Sequence, residues 1–95
     1  MTRYDVKAAM QQLIATTGET LSTQRAAYVR YRDYEQLCAD DAFAAQAAGD
    51  KRMADIHLAS VASWRAMAER VMRDIDATER DLAECERMAG VRGAA

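Results

Sequence analysis

The sequence predicts an all-α protein, an antiparallel hairpin of two long helices with a short N-terminal helix, elongated and coiled-coil-like. Three observations support this fold class. The 95 residues contain no proline and four glycines, so little interrupts a helix. Much of the 51% apolar fraction is alanine, the best helix former. Apolar residues also recur at helical spacing from Lys51 to Met88.

The first predicted helix covers about residues 3–17. A narrow apolar stripe recurs at helical spacing along it and consists of Val6, Met10, Leu13, Ile14 and Thr17. Gly18 then stands where a glycine commonly ends a helix in the left-handed conformation. Because a helix of about 15 residues is marginal by itself in water, we expect this helix to pack against the open end of the hairpin.

The second predicted helix covers about residues 21–48, with the hydroxyl residues between Thr20 and Thr23 as alternative N-caps. Its predicted apolar face consists of Leu21, Ala27, Tyr28, Tyr31, Tyr34, Cys38, Ala42 and Ala45. Tyrosines crowd the first half of this face and alanines the second, so the alanine half should pack closest to its neighbour. Glu35 intrudes into the face, whereas Leu37 and Phe43 lie off it.

Gly49 and Asp50 predict a tight turn between two antiparallel helices, with the glycine ending one helix and the aspartate capping the next. Such a turn would place Ala45 beside Ala54, and residue 35 opposite residue 64. The third predicted helix, residues 51–89, then extends past the start of helix 21–48 by about ten residues.

The third helix has an apolar arc of about 160°, wider than a two-helix seam needs. Its members are Met53, Ile56, His57, Val61, Trp64, Met67, Ala68, Val71, Met72, Ile75, Leu82 and Cys85. We expect either helix 3–17 or a second copy of the chain to cover part of this arc. Met67, Val71 and Ile75 follow at steps of four, which predicts a break in the heptad rhythm and disfavours a regular coiled coil.

We expect residues 1–89 to form a single helical domain and residues 90–95, with two glycines, to form a flexible tail. The net charge of −2 offers no bulk attraction for nucleic acid or for an anionic membrane. No apolar run reaches the length of a membrane span, and the N-terminus lacks the apolar core of a signal peptide. A cytoplasmic protein is therefore expected.

No catalytic or metal-binding motif occurs in the sequence, and we expect no enzyme activity and no cofactor. His57 is the sole histidine and lacks ligands at a suitable spacing, which favours a core or interface role. Basic and aromatic residues mix around Tyr31, but acidic residues interrupt the positive charge, which argues against nucleic-acid binding. The candidate interface residues are Tyr28, Tyr31, Tyr34, Phe43, His57, Trp64, Met67, Met72 and Leu82.

These features favour a small, non-enzymatic protein–protein interaction module that forms a homodimer and binds a further protein partner. One form is a phage or mobile-element inhibitor of a host complex, because small all-helical anti-CRISPR proteins have this general format, although no motif here identifies a family. An assembly chaperone or structural adaptor of a secretion system or virion is the first alternative. A nucleic-acid-binding regulator is the second.

Overall fold

The computed structural model describes residues 3–90 and contains two α-helices in that range. Helix α1 spans Arg3–Ala47 and helix α2 spans Lys51–Met88. No strand occurs among the described residues. The all-helical class and the two long helices of the hairpin are confirmed. The predicted flexible tail lies outside the described residues, apart from Gly90.

The prediction of a separate helix at residues 3–17 is wrong, because α1 runs through Gly18 without a break. Gly18 is helical, and the positive φ angles in the described range belong to Gly49 and Gly90. The Thr20 hydroxyl donates a hydrogen bond of 3.1 Å to the Thr16 carbonyl one turn earlier, instead of capping a new helix. A glycine inside a helix costs only about 1 kcal/mol relative to alanine. Two new helix ends at this point would leave up to eight backbone groups in need of partners.

We expect Gly18→Ala to stabilise the protein by about 1 kcal/mol, because alanine is the better helix former. A Cβ atom at Gly18 would meet nothing within 4 Å. Gly49→Ala is the matched control. It should destabilise the protein by about 1 kcal/mol, since φ at Gly49 is +74° and L-residues are strained there. Urea titrations followed by circular dichroism measure both changes, and a loss of stability in Gly18→Ala would contradict a continuous α1.

The turn between the helices is confirmed in its predicted form. The Asp50 N–H donates to the Ala45 carbonyl at 2.9 Å, and the Gly49 N–H donates to the Gln46 carbonyl at 3.0 Å. Together these are the two hydrogen bonds of a Schellman motif, which a glycine with positive φ permits. The Asp50 carboxylate then accepts a hydrogen bond of 3.1 Å from the Met53 N–H, so it caps α2.

The chain divides into two compact units. The first, here called the hairpin unit, consists of residues 26–72 and contains the turn. The second, here called the terminal unit, combines residues 3–25 of α1 with residues 73–90. In the terminal unit Leu21, Ile75 and Thr78 are buried. The N-terminal segment therefore accompanies the end of α2 as predicted, but as part of α1 and not as a third helix.

In the hairpin unit, the main buried and half-buried side chains recur at alternating steps of three and four residues, which is a heptad pattern. These positions are Tyr28, Tyr31, Glu35, Cys38, Ala42 and Ala45 of α1, and Ala54, His57, Val61, Trp64, Ala68 and Val71 of α2. We call this set the seam.

The predicted break in the heptad rhythm is wrong. Met67 is 40% exposed and Ala68 is 1% exposed, so the alanine and not the methionine lies in the seam. Two helix backbones that approach each other closely leave room only for a small side chain, and this favours alanine. From the sequence alone methionine looks the better core residue, because its apolar area is larger. The same alternation of three and four holds in the terminal unit along Ile75, Thr78, Leu82 and Cys85.

Candidate protein-interaction surface

Trp64 lies at the centre of an aromatic cluster in the hairpin unit. Its ring centroid is 5.7 Å from that of Tyr31, with the two planes stacked at 26°. The Tyr34 ring lies 4.8 Å away at an interplanar angle of 47°. Aromatic pairs with an offset or tilted geometry at these distances stabilise a protein by more than the burial of their surface area alone. The cluster thus joins α1 to α2.

Glu35 is a carboxylate in the seam, and two arginines neutralise it. Its side chain is 11% exposed and accepts hydrogen bonds from Arg32 Nη1 at 2.9 Å and from Arg65 Nε at 3.1 Å. The predicted register places residue 35 opposite residue 64, so the Glu35–Arg65 contact agrees with it to within one position. Both arginine side chains remain more than half exposed. They mark one flank of the hairpin unit, which we call the arginine flank.

The arginine flank also carries isolated apolar side chains. Helical spacing places Phe43 on the same side of α1 as Arg32, and Leu58 and Met72 on the same side of α2 as Arg65. Phe43 is 74% exposed. The ion pairs of Glu35 separate these apolar positions along the flank, so they do not form one continuous apolar area.

The opposite flank, which we call the groove face, is apolar at its centre. A shallow groove of about 500 Å³ is lined by Ile56, Ala59, Ser60, Ser63, Trp64 and Met67. None of these six residues carries a charge. Tyr34, whose ring contacts Trp64, brings α1 to the edge of the groove.

Further exposed apolar side chains extend the groove face in both helices. Leu37 follows Tyr34 by one helical turn on α1 and is exposed, and Met53 precedes Ile56 by one turn on α2 and is exposed. The groove face is therefore defined by Tyr34, Leu37, Met53, Ile56, Trp64 and Met67. Contiguous apolar surface of this kind commonly marks a protein-binding site.

The candidate residues predicted from sequence fall into four places. Tyr34, Trp64 and Met67 lie on the groove face, and Phe43 and Met72 lie on the arginine flank. Tyr28, Tyr31 and His57 are half-buried in the seam. Leu82 is half-buried in the terminal unit. Leu37, Met53 and Ile56 were not among the candidates. Their recurrence at helical spacing just outside the seam is the signal that could have identified them.

The terminal unit has a cavity of different character. Leu21, Arg25, Glu79, Arg80, Leu82 and Glu86 contribute to its lining, and its volume is about 600 Å³. An exposed ion pair of 3.4 Å joins Arg25 to Glu79 there. Charged side chains of both signs dominate this lining, in contrast to the uncharged groove of the hairpin unit.

Within residues 3–90, no three His, Cys, Asp or Glu side chains come together in a way that could hold a metal ion. Cys38 and Cys85 are free and half-buried. Neither described helix contains a segment long and apolar enough to cross a lipid bilayer. The chain matches no protein-family model, no curated protein and no solved structure.

Proposed function

We propose that the chain is a non-enzymatic protein–protein interaction module whose binding surface is the groove face of the hairpin unit. The observation that carries the proposal is the uncharged groove between Ile56 and Met67, with exposed apolar side chains from both helices beside it. Burying apolar area yields about 25 cal/mol per Å², so a partner that covers this face gains free energy.

The groove has the anatomy of a docking site for a helix. Small side chains, Ala59, Ser60 and Ser63, line its middle, while Ile56, Trp64 and Met67 form its larger walls. An apolar helix face binds grooves of this type through anchors spaced by three or four residues. Methionine at such a surface adapts its shape to the anchor, and tryptophan is enriched among residues that dominate binding energy.

The arginine flank is the less suitable surface for such a partner. Covering it would desolvate the guanidinium groups of Arg32 and Arg65, whose hydrogen bonds to Glu35 leave part of each group in water. Desolvation of charged groups offsets much of the gain from apolar contact. This difference between the flanks supports the choice of the groove face.

Ile56→Asp tests the proposal, with Leu58→Asp as the matched control. The two residues lie on opposite flanks of the same helix and are 48% and 45% exposed. Affinity-tagged chain is mixed with a lysate of the cells that encode it, and bound chains, including untagged copies of the protein itself, are quantified. We expect Ile56→Asp to lower binding at least about tenfold, because a carboxylate would be buried without a partner, and Leu58→Asp to leave it nearly unchanged.

Equal binding by the wild-type protein and Ile56→Asp would refute the groove face as the binding surface. Circular dichroism spectra of both variants verify that the helices are intact. A DNA-affinity column run at low and high salt tests the nucleic-acid alternative, for which retention must fall steeply with salt.

A further inference from the structure

We propose that the occupant of the groove face is a second copy of the chain, placed antiparallel across a two-fold axis near the middle of the hairpin unit. This inference rests on the proposed function, since it names the partner of the same surface. A two-fold interface is self-complementary, so each residue must meet a suitable residue of the other copy and be met by it in return. The central residues of the groove face satisfy this condition in both helices.

On α1 the condition is met by charge. Arg30, Tyr34, Leu37 and Asp41 lie on one side of the helix, at steps of four, three and four. An axis that passes between residues 35 and 36 places Arg30 of one copy opposite Asp41 of the second, and Tyr34 opposite Leu37. Arg30 and Asp41 are both exposed, and neither forms an ion pair or hydrogen bond with another side chain within residues 3–90.

On α2 the condition is met by size. Ile56, Ser60, Ser63 and Met67 lie on one side at steps of four, three and four. An axis between residues 61 and 62 pairs Ile56 with Met67 of the second copy and Ser60 with Ser63. The large apolar side chains then pack on one another. The serines meet at the centre, where small side chains permit the two helices to approach closely.

The two midpoints agree with the internal register of the hairpin unit. Glu35 contacts Arg65 and Tyr34 contacts Trp64, so in the antiparallel register the middle of the α1 set lies across from residues 63 and 64. The midpoint of the α2 set is about two residues away, or about 3 Å along the helix, which is less than one helical turn. One axis therefore serves both helices.

Exchange of the two charges tests the arrangement. Arg30→Asp alone places two carboxylates opposite one another at both ends of the interface, and Asp41→Arg alone places two guanidinium groups there. We expect each single variant to raise the dimer dissociation constant about tenfold or more, and the double variant Arg30→Asp/Asp41→Arg to restore it. Sedimentation velocity over a range of concentrations measures the constant for each protein.

Mixing the two single variants gives a second test, in which a gain of dimer cannot come from a folding defect of either variant. In a heterodimer of Arg30→Asp with Asp41→Arg, both facing pairs again have opposite charges. We expect the mixture to form dimers at concentrations where each variant alone is monomeric.

A wild-type chain that stays monomeric at all concentrations would overturn the second copy as the occupant. If Ile56→Asp nevertheless loses a partner from the lysate, the proposed function stands and only this inference fails. If the wild type is monomeric and Ile56→Asp binds as the wild type does, both fail. A dimer that tolerates each single charge change and gains nothing from mixing would overturn the antiparallel axis.

Discussion

Ala68→Asp is expected to destabilise the protein by about 3 kcal/mol or more, which is a large part of the stability of a small domain. Ala68 is 1% exposed and lies in the seam between α1 and α2. A carboxylate there loses its hydration, and the seam residues beside it on α2, Trp64 and Val71, are uncharged. Arg65, one turn before Ala68, is already bonded to Glu35. Thermal unfolding followed by circular dichroism at 222 nm, at one fixed protein concentration, measures the loss.

Ala66→Asp is the matched control for this substitution. Ala66 lies two positions away in the same helix and is exposed, so both variants carry the same cost of aspartate in a helix. Burial raises the pKa of a carboxyl group, and the deficit in Ala68→Asp should therefore shrink as the pH falls towards 4 and the group is protonated. Equal melting temperatures for the two variants would place residue 68 outside the seam.

Trp64→Ala is expected to cost about 3 kcal/mol. The substitution removes both ring contacts of the aromatic cluster, at centroid distances of 5.7 Å to Tyr31 and 4.8 Å to Tyr34. It leaves a gap beside the seam that the small side chains nearby cannot fill. Urea denaturation followed by far-ultraviolet circular dichroism gives the free energy of unfolding without reliance on tryptophan fluorescence, since Trp64 is the sole tryptophan.

Trp64→Phe provides the control, because phenylalanine keeps an aromatic ring at the same position. We expect it to recover most of the lost stability, with a remaining cost of about 1 kcal/mol. If alanine and phenylalanine at this position gave proteins of equal stability, the contacts with Tyr31 and Tyr34 would not contribute to the fold.

The contrast between the two flanks connects the fold to the proposed function. Both flanks expose apolar side chains, but the arginine flank has the ion pairs of Glu35 in its middle, whereas the groove between Ile56 and Met67 has no charge. The chain also provides comparable residues on each flank. Ile56 and Leu58 form one such pair, and Met67 and Met72, which are similarly exposed, form another. Substitutions at these pairs separate the effect of position from that of residue type.

The wide apolar arc of α2 indicates more apolar surface than α1 can cover, and several side chains of the arc are indeed exposed. We predicted that either the N-terminal helix or a second copy would cover it. Because α1 continues through Gly18, no third helix folds back within the described residues. The groove between Ile56 and Met67 and the exposed apolar side chains beside it are uncovered in the described residues, and this is the physical basis for assigning the groove face to a partner.

Local chemistry was sufficient to predict the turn. Gly49 has the positive φ that a Schellman motif needs, and the Asp50 carboxylate accepts the hydrogen bond that caps α2. Both effects act within a few residues, so the sequence carries them completely. The absence of proline and the abundance of alanine similarly determined that the chain is helical.

At Gly18 and Met67 the local sequence was not sufficient, and tertiary packing decided whether the helix continues and which side chain is buried. A glycine after an apolar stripe ends a helix in one protein and continues it in another, because a cost of about 1 kcal/mol is easily offset by packing along the rest of the helix. Met67 is larger than Ala68, yet the narrow space between two close helices takes the alanine. The sequence alone determined the helical class, the turn and the surplus of apolar surface. Only the packing of α1 against α2 decided which side chains that surplus exposes, because burial depends on the shape of the neighbouring helix.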